Sequence, residues 1–453
     1  MLLAALPPIG WAAFGWVCFV PLLIAVRARG LAVGFVSALA SCLLAAWLST
    51  TPLMPGLRLA DGSNSFNYVG FAQFGLVPAL LCATLGELKR FSLATTLGLI
   101  GAAILGEWAL QLILPAHLAL SQAYQPNVVA WASLGGVWLV SLAAWVTNLV
   151  FAFAIAERRI KLGLAILAVP PLMALPPWRA VLLPIRSSKT LKVAVIQADG
   201  WDLPELGSAT REAKASGAEL VLWPELSADV IVRNGDSTPL KQLSSDPNVA
   251  PFMTTFSDNV RPKPHNSLAL FASGVESARY FKQKPFGGER NEHVAGSTPL
   301  TVTLGSTSGQ INIACAICFD ACYPSLMRRA ARTGSPSVLV IPSLDPMSTT
   351  GFIQASHASF SPFRAAELGL PVIRSDVSGY SQLVNPNGVV VKTAPLGFSG
   401  VMVGDVRLGP EWTLYRQLGD WVVWLAGGLV LYAVAANRGW TQWLIRRKKT
   451  VEP

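Results

Sequence analysis
At 453 residues, with 52% hydrophobic and only 13% charged side chains, the chain exceeds one ordinary domain and carries about half the charge usual for a soluble protein. Its formal net charge of +10 does not mark a nucleic-acid binder, because the basic residues cluster beside apolar runs. Six cysteines are too few and too poorly spaced for a secreted disulfide framework: Cys18, Cys42 and Cys82 lie in apolar runs, and Cys315, Cys318 and Cys322 crowd into one motif.

In chain order, residues 1–26 carry no charge and lack the basic start of a signal peptide. Pro7 and Pro8 break them, so the first full membrane span is expected over 10–26. Further spans are expected over 31–50, 68–86, 91–114 and 130–156, and a shorter one over 162–176, against the ~20 apolar residues a bilayer requires. Loops are expected over 51–67 and 115–129. Arg27 and Arg29, then Lys89 and Arg90, then Arg158, Arg159 and Lys161 fall in alternate loops, and the loops between hold almost no charge. The basic loops are therefore expected on the cytoplasmic side. The run at 162–176 then leads out, and a last span over 421–436 returns to a tail with Arg438, Arg446, Arg447, Lys448 and Lys449. The division expected is 1–186, about six spans; 187–412, an extracytoplasmic domain; and 413–453, a final span with a basic cytoplasmic tail.

Inside 187–412 the apolar runs are short and β-branched: LKVAVIQ, ELVLWPE, NSLALFA, LTVTL, INIACAI, SVLVIPS, LPVIRS, GVVVKT and GVMVGDV. Helical stretches such as 208–216 and 325–332 come between some of them, so sheets covered by helices are expected. Three stretches carry chemistry. ELVLWPE (219–225) is an apolar strand ending in Glu225, and RYFKQKPFGGE (279–289) carries Lys282. INIACAICFDACYP (311–324) reads as a buried strand over 311–317 that delivers Cys318 at its C-terminal edge, where an α/β protein presents a nucleophile. An ordinary thiol is mostly protonated near neutral pH, so Cys318 needs a base, Glu225, and a stabiliser of negative charge, Lys282. Cys315 and Cys318 also spell C-x-x-C, but a regular strand sends residues three apart to opposite faces. With no second C-x-x-C, no HExxH, and His117, His265, His293 and His357 scattered, no metal or other cofactor is expected. Glu107, in the GEWAL stretch of an expected span, is either a functional carboxylate or a hydrogen-bonding link between helices.

The ordered set ELVLWPE, YFK with PFG, and ICFDACYP resembles the three signatures of the nitrilase, or carbon–nitrogen hydrolase, superfamily. The apolar segments on either side make the chain similar to the apolipoprotein N-acyltransferase family, as a divergent member. That resemblance implies a multi-span helical membrane domain joined to a four-layer α-β-β-α sandwich, in a bacterial inner membrane. It implies transfer of an acyl chain from a membrane phospholipid, through a thioester on Cys318, to the α-amine of a lipoprotein's N-terminal diacylglyceryl-cysteine, with Glu225 as base and Lys282 holding the oxyanion. Glu289 matches a second glutamate that would orient Lys282, an exposed loop carboxylate being the alternative. Phe319 and Asp320 stand where the family has Tyr and Glu, differences that bear on how a lid closes. The segment after PFGG (289–299) is short and polar where the family has a longer apolar arm, and SLDPMSTTG (343–351) also departs. These loops point to the second reading: an amidase, or an acyltransferase with a different acceptor, for example one serving a conjugal-transfer or secretion apparatus. A third reading is an idle scaffold, against which the intact Glu, Lys and Cys argue.

Overall fold
A helix that is apolar on every side is stable only when surrounded by other apolar groups. The first third of the chain is built from such helices. The computed structural model describes residues 1–7, 9–49, 65–87, 92–111, 115–184, 186–232, 235–258, 263–345 and 351–449. Residues 51–64 of the first expected loop, the pair Lys89 and Arg90, and 346–350 of the second altered stretch lie outside these. The helical elements are α1 (Val20–Val26), α2 (Leu31–Ser49), α3 (Ser65–Glu87), α4 (Leu93–Leu110) and α5 (Ala132–Ala156), followed by α6 (Ile160–Leu167), α7 (Val169–Met173) and α8 (Pro177–Leu182). Among the described residues, α4 and α5 are long and apolar enough to cross a membrane.

Two runs expected as single spans are broken. Residues 10–26 split into a 3-10 turn, Ala12–Trp16, and α1. Residues 162–176 divide between α6 and α7, and α8 begins directly after. Pro170, Pro171, Pro176 and Pro177 each withdraw a backbone N–H from the helical ladder, which explains the breaks. The segment expected as a loop over 115–129 is instead largely buried, with a 3-10 turn at Leu118–Gln122 and one helical turn at Pro126–Val129.

The α/β part holds two sheets. The first runs β13 (Gly400–Arg407), β1 (Thr190–Gln197), β2 (Leu220–Leu222), β3 (Phe252–Ser257), β4 (Asn266–Ala272) and β5 (Val275–Glu276), with β6 (Tyr280–Phe281) also on β4. The second runs β12 (Val390–Ala394), β11 (Ser381–Val384), β10 (Val372–Asp376), β9 (Val338–Ser343), β8 (Gly309–Cys315) and β7 (Thr301–Ser306). The period of two sorts each strand's side chains. Ala194, Ile196, Val221, Trp223 and Phe252 join one core with Leu206, Ala209 and Ala213 of α9 (Leu203–Ala215). Leu191, Val193, Val195, Leu220 and Leu222 face the other way, into a core shared with Ile313, Leu339 and Ile373 of the second sheet. On the far side of that sheet lie α10 (Pro324–Arg332) and α12 (Phe360–Leu368), with α11 (Gly351–Ala358) leading into α12. Helix, sheet, sheet and helix are thus stacked in turn. Strands buried on both faces are near-continuous apolar runs, as their sequences read.

The chain ends in α13 (Trp421–Lys449), which packs along α4. The α/β part also reaches into the helices. α5 is kinked at Gly135 and Gly136, where Gly136 takes φ +69° and a Cβ would meet the Tyr415 ring at 2.6 Å. The kink bares the Val137 N–H, which donates to Glu367 Oε1 of α12 at 2.6 Å. Beside it Trp138 Nε1 donates to Asp420 at 2.8 Å, as does the Tyr415 hydroxyl.

Candidate active site
In the parallel core of the second sheet, β8 and β9 run side by side with Cys315 opposite Val340. Their C-terminal ends open at one edge. β8 stops at Cys315, two residues earlier than its apolar run predicts, and a 3-10 turn begins at Cys318 (Cys318–Cys322). The strand alternation invoked to separate Cys315 from Cys318 therefore ends before Cys318. What separates them is the turn: Cys315 is fully enclosed, its thiol pushed up to about 12 by burial, while Cys318 takes a left-handed φ of +49° and is 7% exposed. A non-glycine residue in that region is strained, a feature that recurs where side chains are aimed at substrates.

Glu225 follows Trp223 and Pro224 at the end of β2. Trp223 fixes that end by stacking on Phe252 at 4.5 Å and donating its indole N–H to Thr210 at 3.0 Å. The Glu225 N–H then crosses to the second sheet, donating to Ser343 O at 3.3 Å. Lys282 comes directly after β6, its N–H on Asn266 O at 2.9 Å. The Lys282 ammonium, 2% exposed, donates to Glu225 Oε1 and to Glu289 Oε2, both at 2.7 Å. Asn266 Nδ2 closes the ring, 2.8 Å from Glu225 Oε1 and 2.9 Å from Glu289 Oε1. Glu289 thus lies against Lys282 with its side chain 15% exposed. Asn266 has no marker in the sequence beyond being a polar residue at the head of an apolar strand.

The charges in this site act on one another. Burial alone would lower the Lys282 ammonium, but Cys318, Glu225 and Glu289 beside it raise it well above the usual lysine range. Burial pushes the Glu289 carboxyl up, yet Lys282, Asn266 and the Phe286 N–H bring it below its ordinary value. For Cys318, burial and then the Glu225 carboxylate push the thiol well above its usual value, while Lys282 and the Leu344 N–H pull the other way. Burial and Glu225 thus favour the thiol over the thiolate that a lysine neighbour alone would produce. Its proton leaves only as an acceptor takes it.

Asp320 and Phe319 hold the turn rather than reach outward. Asp320 is fully buried and accepts from the Tyr280 hydroxyl at 2.8 Å and from three backbone N–H groups, Ile317, Gln283 and Lys284, at 3.1, 3.1 and 2.7 Å. Burial raises its carboxyl to about 6. It ties the Cys318 turn to β6 and to the segment after it that carries Lys282. Phe319 packs between Phe286 and Tyr323 at 4.7 and 5.3 Å. The polar segment after Gly288 makes one helical turn, Glu289–Glu292, and then lies along β6. His293 Nε2 meets Ser257 Oγ at 2.9 Å, the Val294 N–H donates to Pro264 O and the Gly296 N–H to Lys282 O, both at 2.8 Å. Among the described residues no group of three or more His, Cys, Asp or Glu is gathered to hold a metal ion.

Glu107 is placed far from this ring in the chain and in a different setting. Its Oε1 accepts from the Trp145 indole at 2.7 Å and the Leu118 N–H at 3.0 Å, and its Oε2 lies 3.5 Å from His117 Nδ1. It joins α4 to α5 and to the buried 118–122 turn.

Residues 192–410 match the carbon-nitrogen hydrolase family. Over 484 aligned residues the chain is 27% identical to a protein of Gloeobacter violaceus named apolipoprotein N-acyltransferase, covering 96% of this chain and 91% of that one. A second protein of that name, from Pseudomonas syringae pv. tomato, is 25% identical over 358 residues, 71% of this chain and 68% of its own. Among solved structures, an amidase from Nesterenkonia sp. aligns with 52% of this chain and 94% of its own at a TM-score of 0.41 and 21% identity.

Proposed function
Residues 192–410 form a carbon–nitrogen hydrolase domain in a chain similar along most of its length to apolipoprotein N-acyltransferases, and from that premise we propose that this protein is a membrane N-acyltransferase of lipoprotein maturation. The observation that carries the reading is the Lys282 ammonium shared at 2.7 Å by Glu225 and Glu289, in the electrostatic reach of a strained, nearly enclosed Cys318. A hydrolase or transferase that works through a covalent intermediate needs that combination of nucleophile, base and cation.

In the first half-reaction Glu225 takes the Cys318 proton as the sulfur attacks an acyl ester carbonyl of a phospholipid. The carbonyl oxygen becomes an oxyanion, held by Lys282. The intermediate then collapses to a thioester on Cys318, and the departing alkoxide of the lysophospholipid takes the proton from Glu225. In the second half-reaction the α-amine of a diacylglyceryl-cysteine attacks the thioester, Glu225 takes the amine proton, and the sulfur leaves and is reprotonated. Glu289 and Asn266 keep Lys282 and Glu225 in register throughout. Both substrates are lipids, which accounts for the apolar helices. The basic residues that flank those helices support an inner-membrane, multi-pass arrangement, with residues 187–412 on the extracytoplasmic side.

The segment from Glu289 to Gly296 favours a second reading for the acceptor. It is polar and pinned along β6, and it offers no apolar arm to meet a lipopeptide. An amidase, or an acyltransferase for another amine, follows from that feature. The test is the intact mass of a synthetic diacylated lipopeptide after incubation with the purified full-length protein and phospholipid vesicles. A gain of one acyl chain, absent with Cys318→Ala, is expected. Acyl-enzyme on Cys318 without any gain on the lipopeptide moves the acceptor elsewhere, and no acyl-enzyme at all defeats the reading.

A further inference from the structure
A second buried ionic cluster lies at the sheet edge that carries Cys318, and the steps above do not use it. β9 ends at Ser343, so the turn Ser343, Leu344, Asp345 leaves the same sheet edge as Cys318, and the Leu344 N–H acts on the thiol. That turn is anchored at each residue around Leu344. Ser343 O accepts from the N–H groups of Glu225 at 3.3 Å and Val377 at 3.2 Å. The Asp345 N–H donates to Asp376 Oδ1 at 3.1 Å. The Asp345 carboxylate meets His357 Nδ1 of α11 at 2.9 Å and Arg374 Nη2 of β10 at 2.7 Å, and the same Arg374 nitrogen reaches Asp376 Oδ2 at 2.6 Å. Three elements thus converge on one turn.

Such a cluster is not explained by stability. Taking charges out of water costs about as much as their pairing returns, and apolar residues of similar volume often serve as well or better. What an ion cluster does supply is a fixed geometry, and here the geometry fixed is that of the residue beside the sulfur.

We propose that Asp345, His357, Arg374 and Asp376 are positioning residues that keep the Leu344 N–H beside the Cys318 sulfur. Negative charge arises on that sulfur when Glu225 takes its proton and again when the thioester is broken. On both occasions a backbone donor is held for it in addition to Lys282. The inference deepens the acyl-transfer reading and in part rests on it.

Asp345→Ala tests it, because the variant removes an anchor and a negative charge together and the two effects oppose each other. Loss of a carboxylate near the thiol, by itself, makes the sulfur easier to ionise and speeds its alkylation by iodoacetamide. Loss of the anchor slows it. The measurement is alkylation of Cys318, followed by peptide mass at fixed pH in the purified full-length protein. Single-turnover acylation by phospholipid vesicles is run beside it. Alkylation and the saturating acylation rate are both expected to fall about tenfold, less than the roughly 10²–10³ lost with a whole oxyanion donor. The half-saturating phospholipid concentration should stay within about twofold, since the cluster touches no lipid. Alkylation that is unchanged or faster overturns the proposal. If near-UV circular dichroism shows that Asp345→Ala does not fold, His357→Leu and His357→Gln decide instead. Both lose the imidazole, but glutamine keeps an N–H for Asp345, so a slow Leu variant beside a near-parental Gln variant supports positioning. Equal rates in the two overturn it. Alkylation needs no lipid, so a parent protein that fails to acylate sinks the acyltransferase reading while the alkylation rates still judge this one.

Discussion

Glu107 and Glu225 are two carboxylates buried to the same degree, each 3% exposed, in two differently built regions. Glu107 hangs from α4, accepts from an indole N–H and a backbone N–H, lies 3.5 Å from the His117 imidazole, and joins parts of the helical region. Glu225 hangs from a strand end, shares a lysine with a second carboxylate, and acts on a thiol. Burial is common to both, so burial does not separate an anchor from a base. The partners do. A carboxylate whose hydrogen-bond donors are an indole and a backbone N–H, with no ammonium and no thiol beside it, is held in place. One set between an ammonium and a thiol has somewhere to take a proton from and a charge to balance it.

The sharpest way to break this comparison is at Glu225 itself. Glu225→Gln keeps the shape and removes the base, and acyl-enzyme formation measured by intact mass should fall by about 10²–10⁴; Cys318→Ala should abolish it. Lys282→Met should cost roughly 10²–10³ in the same assay. It should also lower the melting temperature of the folded protein, because Glu225 and Glu289 lose the ammonium they share and an unpaired buried charge costs about 3–5 kcal/mol. Retained acylation in Lys282→Met would strip the lysine of its part. At Glu107 the order reverses. Glu107→Leu leaves the Trp145 indole and Leu118 N–H without their acceptor, a loss of about 1–3 kcal/mol in stability, and Glu107→Gln should lose less. Both should acylate within about threefold of the parent once corrected for folded protein, a barrier change of under ~1 kcal/mol. A Glu107→Gln protein that folds and does not acylate would place Glu107 with Glu225 and end the distinction.

The smallest effect is a pH dependence of stability carried by the Asp345 and His357 pair. Burial raises the Asp345 carboxyl, but His357 and Arg374 bring it down to about 2. Burial lowers the His357 imidazole, but Asp345 brings it up to about 10. A depressed carboxylate stabilises the fold above its ordinary value, and that contribution is lost as pH falls toward 2. A raised imidazole stabilises it in full below its ordinary value, and the contribution is lost as pH rises through 10. Thermal melts should therefore decline on both limbs, and His357→Gln should flatten the alkaline limb and, because His357 helps to depress Asp345, shrink the acid limb as well. An alkaline limb that is unchanged in His357→Gln would assign it to other groups.

The inner strands β1, β2, β4, β9 and β10 were legible because each is a short apolar run buried along nearly its whole length, and a sequence records that without help from elsewhere; β3, β5 and β6 were not read. The same logic singled out Glu225 and Cys318 at the ends of such runs, while Lys282 was read from the YFK motif. Three other things were not legible. The end of β8 at Cys315 was set by Asp320 drawing the Ile317 N–H into a turn, a contact that apolarity does not report. Asn266 and the Asp345 cluster draw their meaning from partners on other elements: Asn266 lies 41 positions from Glu225, and Arg374 lies 29 from Asp345. The broken run over 162–176 is the opposite case, since its three prolines, with Pro177 directly after, stand in the sequence and hydropathy alone outvoted them.

The kink in α5 has a consequence for the order in which this protein is made. The bare Val137 N–H and its acceptor, Glu367, are 230 positions apart in the chain. A ribosome therefore completes the helical socket long before it makes the carboxylate that fits it. In the interval the socket holds an unpaired donor in apolar surroundings, worth several kcal/mol against it if no water reaches it. The helices alone are thus an unfinished object, and a fragment that starts at residue 187 is the matching one, with a carboxylate and no socket. Neither half is a spare part that could be exchanged between proteins at the boundary its sequence suggests, because the seam between them is stitched from both sides.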